Sequence, residues 1–373
     1  MRSLPQQRGF GLVEIMVGLV IGMIASVVIF QVFSVSERQK RTTSGSADAQ
    51  TTGAFSLYTI ERDAKMAGFG LEANAIAACD KVFSYYNDGS GDSTVRAFDI
   101  PAAVSITDGG AAVADQIEIV YYSNPADGNF IIPSSTTLRK IMADSSDILN
   151  VNSASGCTVD TLALAQEAGQ CTVMQVTKED AAKLQVEHAP GGTGTPAKPT
   201  YNPSVAHMTA NNWPAYTSGA TLRCGLSQPV TRTYSLNANT LQFLDSTSAT
   251  INTVAPNIVA LQAQYGVADA GTLVVNRADQ WVDASGAWAK GTLTRANGKR
   301  IKAIRVAMVA RSSEYEKPEP GNACTTTTDA MVAGWSAWAN LAAVKTLADW
   351  QCYRYKVVET VIPLRNVIWA NVK

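Results

Sequence analysis

An apolar run near the start of this chain constrains its fold more than any other feature. Over residues 15–33, the only side chains that form hydrogen bonds are Ser26 and Gln31. With residues 10–13 added, the segment is long enough to cross about 30 Å of hydrocarbon as one helix. In lipid, a helix is the only single-segment solution, because every backbone polar group must find its partner within the segment. We therefore expect a membrane-spanning helix over residues 10–33.

One carboxylate, Glu14, lies at the beginning of this run. A carboxylate in a spanning helix costs a few kcal/mol and calls for a partner. If the chain is cut between Gly9 and Phe10, the new α-amino group lies one helical turn before Glu14 and on the same face. That ammonium would neutralise the carboxylate within one chain or between staggered neighbours. The alternative is a carboxylate that snorkels to the membrane boundary, and the spacing leaves both open.

These residues resemble a known processing signal. Gly9-Phe10 with Glu14, a basic leader and an apolar helix resemble the class III signal of type IV prepilins and type II secretion pseudopilins. The resemblance implies that a membrane-embedded prepilin peptidase removes residues 1–9 and N-methylates Phe10. It also implies that Glu14 guides the subunit into a filament. Gly11 stands where the family usually has Thr.

Two other export arrangements compete with this interpretation. A conventional signal peptide has an apolar region of about 7–15 residues and a small-x-small cleavage site. Residues 34–36 fit such a site, but the apolar run before them is too long. For a plain membrane anchor, a count of basic residues favours the opposite topology under the positive-inside rule. The basic residues are Arg2 and Arg8 before the run, and Arg38, Lys40 and Arg41 after it.

The cysteines decide the orientation. None of the six forms a Cys-x-x-Cys pair, so zinc and thioredoxin-like sites are disfavoured. Behind an export signal, an even number of cysteines indicates disulfides in an oxidising compartment, which places most of the chain outside the cytoplasm. Proximity in sequence suggests three pairs among fifteen possible connectivities. They are Cys157–Cys171, Cys324–Cys352 and, by remainder, Cys79–Cys224.

Composition and motifs argue against catalysis. The net charge is −1 and only 16% of residues are charged, so no strong field attracts nucleic acid. No hydrolase, zinc-protease or phosphate-loop motif occurs. The only histidines, His188 and His207, lie in or beside a Gly/Pro-rich stretch, and we interpret them as solvated loop residues. The oxygen-bearing residues at 88–92 lack the later ligands of a calcium loop. We expect no enzyme activity, cofactor or metal site.

The remainder of the chain predicts an α+β fold. Residues 34–70 continue the helix in amphipathic form, with Ala54, Leu57 and Ala64 among its apolar positions and Gly45 and Gly53 as points where it bends or locally melts. Residues 71–373 form a β-rich domain whose successive strands favour an antiparallel sheet. Predicted strands cover residues 115–122, 171–177, 230–236, 240–244, 301–311 and 352–362. Insertions are expected at about 187–222, with residues 190–220 as a mobile loop or subdomain boundary, and at about 321–351, which holds a short helix.

Three further segments resemble PilW-type minor pilins. Residues 57–70 are similar to the end of their N-terminal helix, with Lys65 in place of the usual Arg. Residues 257–267 resemble a Leu-Gln-x-Gln-Tyr-Gly strand, and residues 361–366 resemble the closing strand. The resemblance implies a type IV pilin-like fold in which a long N-terminal apolar helix packs on a loop-rich, disulfide-bonded domain.

The resemblance also implies a structural role. A PilW-type minor pilin is expected to help prime pilus assembly, to sit in a tip complex, and to support twitching motility, adhesion or DNA uptake. Its partners would be other minor pilins and the major pilin through the N-terminal helix, the prepilin peptidase, the inner-membrane assembly machinery and a tip adhesin. It would be a single-pass inner-membrane protein with a periplasmic domain that later enters the extracellular pilus.

The sequence allows two roles for a pair of tryptophans and two alternative functions for the chain. Trp335 and Trp338 form either an aromatic patch for a partner protein or a small satellite core. If they are exposed, they favour a pilus-tip adhesin or ligand-binding module. A type II secretion pseudopilin is the second alternative, although the chain looks too long for a minimal J-type subunit.

Overall fold

One long helix, α1 (Leu12–Met66), connects the apolar run to the globular part of the chain. Its 55 residues correspond to about 80 Å, and no break separates the apolar segment from its amphipathic continuation. Gly68, with φ +76°, ends the helical path, and its N–H donates to Val120. The computed structural model describes residues 11–69, 79–86, 102–110, 113–122, 134–190, 201–226, 229–246, 250–271, 277–316, 318 and 321–369.

Strands dominate the remaining described residues. They are β1 (Lys81–Phe83), β2 (Val104–Thr107), β3 (Gln116–Tyr122), β4 (Ser134–Thr137), β5 (Leu149–Asn150), β6 (Leu162–Glu167), β7 (Gln170–Gln175), β8 (Lys178–Asp180), β9 (Gln185–Glu187), β10 (Thr221–Leu226), β11 (Pro229–Asn237), β12 (Thr240–Asp245), β13 (Thr250–Pro256), β14 (Ile258–Val267), β15 (Gln280–Val282), β16 (Ile301–Arg311) and β17 (Tyr355–Pro363). The shorter α-helices are α2 (Val205–Ala210), α3 (Arg295–Arg300), α4 (Asp329–Ala333) and α5 (Arg365–Trp369).

These strands form four sheets among the described residues. A four-stranded sheet has the order β15-β14-β16-β17, and a five-stranded sheet has the order β13-β12-β11-β3-β2. Further from α1 lie a second five-stranded sheet, β1-β7-β6-β10-β4, and a three-stranded sheet, β5-β9-β8. Every pairing is antiparallel except that of β1 with β7. The predicted α+β class with antiparallel sheets is confirmed.

Helix α1 packs on the inner face of the four-stranded sheet. Alternation along β16 puts Ile304, Val306 and Met308 in the same buried core as Ile60 and Ala64 of the helix. This core continues between the four-stranded sheet and the sheet of β11. A second core, built around β6 and β10, lies in the part of the domain that does not contact the helix.

Most predicted strands occur close to their expected positions. The segment 301–311 coincides with β16, and the expected hairpin is formed by β11 and β12. The last predicted strand starts later, because Trp350–Cys352 forms a 3₁₀ turn before β17. Strands β6, β10 and β13 were not predicted, although each is at least as long as the predicted β7 and β12.

The second half of the expected mobile loop is well packed. Asn202 is buried, its side chain accepts from the N–H of Gln175 and donates to the Gln175 carbonyl, and both distances are under 3 Å. Tyr216 is also buried and its hydroxyl donates to Thr172 over 2.8 Å. Residues 201–220 therefore cover strand β7 rather than forming a free loop, and that prediction was wrong for this stretch.

Candidate functional site

Glu14 lies in the first turn of α1. Its Oε2 accepts a hydrogen bond from the backbone N–H of Gly11 over 2.9 Å. The carboxylate thereby satisfies one of the N–H groups left free at a helix start, and its negative charge is favourable at that end of the helix dipole. Gly9 and Phe10, the predicted cleavage pair, lie outside the described residues, so the pairing of Glu14 with a new amino group stays a prediction.

The first half of α1 is an apolar rod that contacts no other part of the described chain. Side chains from Leu12 to Phe33 are exposed, and those of the large apolar residues by at least half of their area. The hydroxyl of Ser26 donates to the carbonyl of Gly22 over 2.8 Å, so it adds no unpaired donor to this surface. Among the described residues, α1 is the one helix that is long and apolar enough to cross a membrane.

Glycines let the second half of α1 approach the sheet closely. A Cβ added at Gly53 would lie 3.2 Å from Val358 and 3.3 Å from Ala310, and one added at Gly45 would lie 3.3 Å from Ser312. Both glycines are buried in the helix–sheet interface, whereas Ala54 is exposed. Of the predicted apolar positions, Ala54 therefore lies off the buried face, whereas Leu57 is half-buried and Ala64 is buried. Helix α1 runs without a break through both glycines, so the expected local melting does not occur there.

A buried ion network joins α1 to the neighbouring sheet. Asp63, which is 4% exposed, accepts from Arg232 of β11 over 2.9 Å and from the hydroxyl of Tyr234 over 2.6 Å. Arg232 also donates to Asp245 over 3.1 Å. Arg62 provides a second cation at 3.1 Å from Asp63. Each buried charge thus has an opposite charge and hydrogen bonds, which is the condition for its burial to be tolerated.

The electrostatic state of this network follows from its contacts. Burial lowers the pKa of Arg232, but its hydrogen bond and charge interaction with Asp63 outweigh burial and raise it above its ordinary value. Burial, reinforced by the nearby Asp63 carboxylate, raises the pKa of Tyr234 well above its usual range. The guanidinium stays charged and the phenol stays neutral, so the network holds the helix to the sheet throughout the physiological pH range.

The chain's C-terminal segment satisfies the carbonyl groups at the end of α1. The side-chain amide of Asn366 donates to the carbonyl oxygens of Lys65 and Ala67 over 3.2 and 3.1 Å. Such carbonyls have no partner within the helix. Gly68 is confined by Ala103 and Val367, each 3.2 Å from where its Cβ would lie. The two resembling segments, 57–70 and 361–366, therefore meet at one point of the fold.

Strand β14 contains the residues that resemble Leu-Gln-x-Gln-Tyr-Gly. The last three of them, Gln264, Tyr265 and Gly266, each contact a neighbouring strand or loop of the fold. The Tyr265 hydroxyl is buried and accepts from the N–H of Ile106 over 2.5 Å, and burial raises the pKa of Tyr265 to about 12. A Cβ on Gly266 would lie 2.9 Å from the ring of Trp281. Gln264 accepts from Arg305 over 2.8 Å. Tyr265 thus connects this strand to β2 of the neighbouring sheet, whereas Gly266 and Gln264 contact β15 and β16 within their own sheet.

Trp335 and Trp338 follow helix α4 instead of lying on it. Trp335 packs with the satellite cluster that covers the outer face of the four-stranded sheet, and its ring lies 5.4 Å from Tyr355. Trp338 donates from its indole N–H to Glu359 over 3.0 Å, and the Arg305 guanidinium lies 4.3 Å from its ring. Both tryptophans are half-buried. This arrangement favours the satellite core over an exposed aromatic patch.

Three disulfides stabilise the domain, and two of the three expected pairs were wrong. The structure pairs Cys79 with Cys171 and Cys157 with Cys224. Cys324–Cys352 is as expected. The reason is strand order: β1 lies beside β7, with Val82 opposite Cys171, so Cys79 reaches the start of β7. Neighbours in the sheet, rather than neighbours in the sequence, set the pairing.

The histidines are not solvated loop residues, as the sequence suggested. His188 is 3% exposed, its Nε2 donates to the carbonyl of Asp147 over 3.0 Å, and burial lowers its pKa. His207 lies on α2, half-buried, with its ring 5.1 Å from that of Tyr85. Within the described part of the chain, no three His, Cys, Asp or Glu residues are grouped so as to hold a metal ion. The calcium-like residues at 88–92 fall outside it.

Two family matches cover the two ends of this architecture. Residues 4–30 match the prokaryotic N-terminal methylation motif, and residues 225–366 match the family described as type IV pilus-assembly protein W. The second match begins just before β11 and ends at Asn366, so it contains both Arg232 and the residue that binds the end of α1. Neither the curated proteins nor the solved structures contain a match.

The matches and the fold agree on the class of protein. The methylation motif and the unburied apolar helix indicate membrane anchoring and association with a pilus, with processing by a peptidase. The family matches point to a structural protein. Together, these findings support the assignment of the chain as a type IV pilus minor pilin of the PilW family.

Proposed function

We propose that this chain is a structural subunit that helps to prime assembly of a type IV pilus. One observation carries the proposal: α1 is a single helix whose first half is apolar and unburied, and whose second half is held to the domain by Asp63 and by close glycine contacts. Because the helix is continuous, the position and orientation of its apolar half determine where the domain lies. Other minor pilins and the major pilin are its expected partners through that half.

Processing is part of the same proposal. The prepilin peptidase would remove residues 1–9 and N-methylate Phe10, and Glu14 would then pair with the new amino group of its own chain or a neighbour. Residues 10–33 would span the inner membrane, 34–70 would continue the helix, and 71–373 would form the periplasmic domain. The inner-membrane assembly machinery would then extract the subunit from the membrane.

The N-terminus of the mature chain tests the processing step. Intact and N-terminal peptide masses should be measured on protein from cells with and without the prepilin peptidase. We expect a mature chain that starts at N-methylated Phe10 and is lost without the peptidase. A start near Glu37 would instead indicate conventional export and would remove Glu14 from the mature protein. An uncut chain would indicate a simple anchor.

A tip position is the finer part of the proposal. The globular domain carries several sheets beyond the one that contacts α1, and a domain of that size would crowd its neighbours in the body of a filament. Immunogold labelling should therefore place the protein at pilus ends. Regular labelling along the shaft would contradict a tip role while leaving the pilin assignment intact.

The match to type IV pilus-assembly protein W supports a pilus over the type II secretion alternative. A deletion strain distinguishes the two, since loss of surface pili with normal secretion supports the pilus role, and the opposite result supports a pseudopilin. The adhesin alternative depended on exposed tryptophans, and the half-buried positions of Trp335 and Trp338 give it no support.

A further inference from the structure

A cleft of about 910 Å³ lies where α1 leaves its apolar segment. One side is the helix itself, and the other, called the facing wall, is formed by residues 315–316, 318 and 322–326. Its lining is about half polar and half apolar. The charged lining groups are Glu37 and Arg41 on the helix and Glu316 on the facing wall, and the uncharged polar ones include Thr42, Tyr315, Asn322 and Thr326.

The position of Arg41 relative to the apolar run sets the depth of this cleft in a membrane. Arg41 is eight residues beyond Phe33, or about 12 Å along the helix axis. Side chains on a helix tilt toward its N-terminus, which here is the membrane side. The Arg41 Nε lies 3.3 Å from Glu37, one turn nearer the membrane. The guanidinium therefore sits about 6 Å beyond the apolar run, within the headgroup layer of about 5–8 Å.

Arg41 has free donors in the cleft, whereas the other charges there are engaged. Glu316 on the facing wall accepts from Arg354, Thr42 and Thr326. In the described residues, Arg41 contacts Glu37 through Nε alone, and both side chains are 57% exposed. A guanidinium carries five N–H donors and suits the geometry of a phosphate. The two Nη groups are thus available to a ligand.

The facing wall is fixed before any ligand arrives. The Cys324–Cys352 disulfide connects it to the residues just before β17, and Arg354, two residues after Cys352, pairs with Glu316. Gly45, one turn beyond Arg41, packs directly against Ser312. The opening between helix and wall is therefore held by covalent and packing contacts, which lowers the ordering cost of binding.

We propose that this cleft binds the phosphate of a membrane phospholipid headgroup through Arg41. The proposal rests on the membrane-anchored state in the proposed function. It explains why basic residues follow the apolar run on the side where the positive-inside rule does not favour them: Arg41 has a phosphate partner there. In an aminophospholipid, the ammonium group would lie beside Glu37. The bound headgroup would fix the depth and rotation of α1 before the subunit enters a filament.

Native mass spectrometry of the full chain in a nonionic detergent tests this inference, with dihexanoyl phosphatidylethanolamine as the probe. We expect about one bound lipid per chain and about tenfold weaker binding for Arg41→Gln. Lys40→Gln is the matched control, because Lys40 is exposed on the adjacent position and does not line the cleft. Its affinity should stay within about twofold of the wild type.

Two results from the variants would overturn the inference. Equal lipid binding by wild type and Arg41→Gln would show that the cleft does not use Arg41, and equal weakening by Lys40→Gln would show only general attraction of basic residues. Inorganic phosphate is the second probe, because it distinguishes a lipid headgroup from free phosphate as the ligand. If it binds as tightly as the lipid, the cleft is a site for free phosphate and the inference is overturned. Circular dichroism confirms that each variant keeps α1. Leader cleavage and piliation, measured in the same variants, test the proposed function independently.

Discussion

Asp63 on helix α1 and Arg232 on strand β11 form a 2.9 Å ion pair across the interface of the helix and the sheet, 169 residues apart in sequence. The carboxylate is almost fully buried and also accepts from Tyr234. This pair lies beside the end of a helix whose other half is free of the domain. It therefore contributes to the rigidity with which the domain follows the apolar segment.

Asp63→Asn should destabilise the domain by about 3 kcal/mol, because it leaves Arg232 with a single carboxylate, Asp245, in a partly buried site. Urea unfolding of the full chain in detergent measures this change. Glu61→Gln is the control, since the Glu61–Lys65 pair on the same helix is partly exposed and its loss should cost less than about 1 kcal/mol. Equal effects would mean that the buried network is not what holds the helix.

Gly53→Leu should separate α1 from the sheet locally. The new side chain would begin 3.2 Å from Val358 and 3.3 Å from Ala310, so we expect a loss of about 2–3 kcal/mol and faster amide exchange around Gly45. Ala54→Leu places the same side chain on the adjacent, exposed position and should change stability by under about 0.5 kcal/mol. If Gly53→Leu is equally neutral, the interface is not close-packed there.

Asp115 should make stability fall as pH rises through the mildly acidic range. It is buried and accepts from the N–H groups of Gly109 and Ala263 over 2.9 and 2.7 Å. Burial, only partly offset by these bonds, raises its pKa from 3.8 to about 6. Between these values the native state binds the proton and the unfolded state does not, so the contribution of Asp115 is full below pH 3.8 and is lost as pH rises through about 6.

Chemical unfolding at pH 4 and pH 7 checks the effect of Asp115. The wild type should lose about 1–2 kcal/mol from this group between the two values, and Asp115→Asn should remove that part of the slope. Glu314→Gln, at an exposed carboxylate, should leave the slope as in the wild type. An unchanged slope in Asp115→Asn would contradict the assignment.

Lys302→Met should stabilise the protein. Lys302 is 1% exposed, and its Nζ has no hydrogen-bond partner among the described residues. An unpaired buried ammonium costs more than a methionine of similar shape, so we expect a gain of about 1–3 kcal/mol. Lys299→Met, at a half-buried lysine nearby, should change stability little. A loss of stability in Lys302→Met would indicate a partner that the described residues do not include.

Burial lowers the pKa of Lys302, so the unfolded state binds the proton more readily than the native state. The free energy of unfolding of the wild type should therefore increase with pH up to 10.5, the ordinary pKa of lysine. The advantage of Lys302→Met should shrink over the same range. A constant difference between the two proteins would mean that the lysine does not titrate with unfolding.

Local physical rules determined much of this protein from sequence. The apolar run predicted a helix because no other single segment satisfies its backbone in lipid, and alternation along residues 301–311 predicted β16. Asn366 and Gly68 lay in segments that the sequence singled out, although their contact at the end of α1 became visible only in the fold.

Only the tertiary structure decided which distant residues meet. Gly53 lacks a side chain, so a search for apolar spacing places the buried face on Ala54, whereas close approach to Val358 places it on the glycine. The Cys79–Cys171 pair depends on β1 lying parallel to β7, and no spacing rule encodes that order. Asp63 and Arg232 look like ordinary surface charges in sequence, because their burial arises only when helix and sheet pack together.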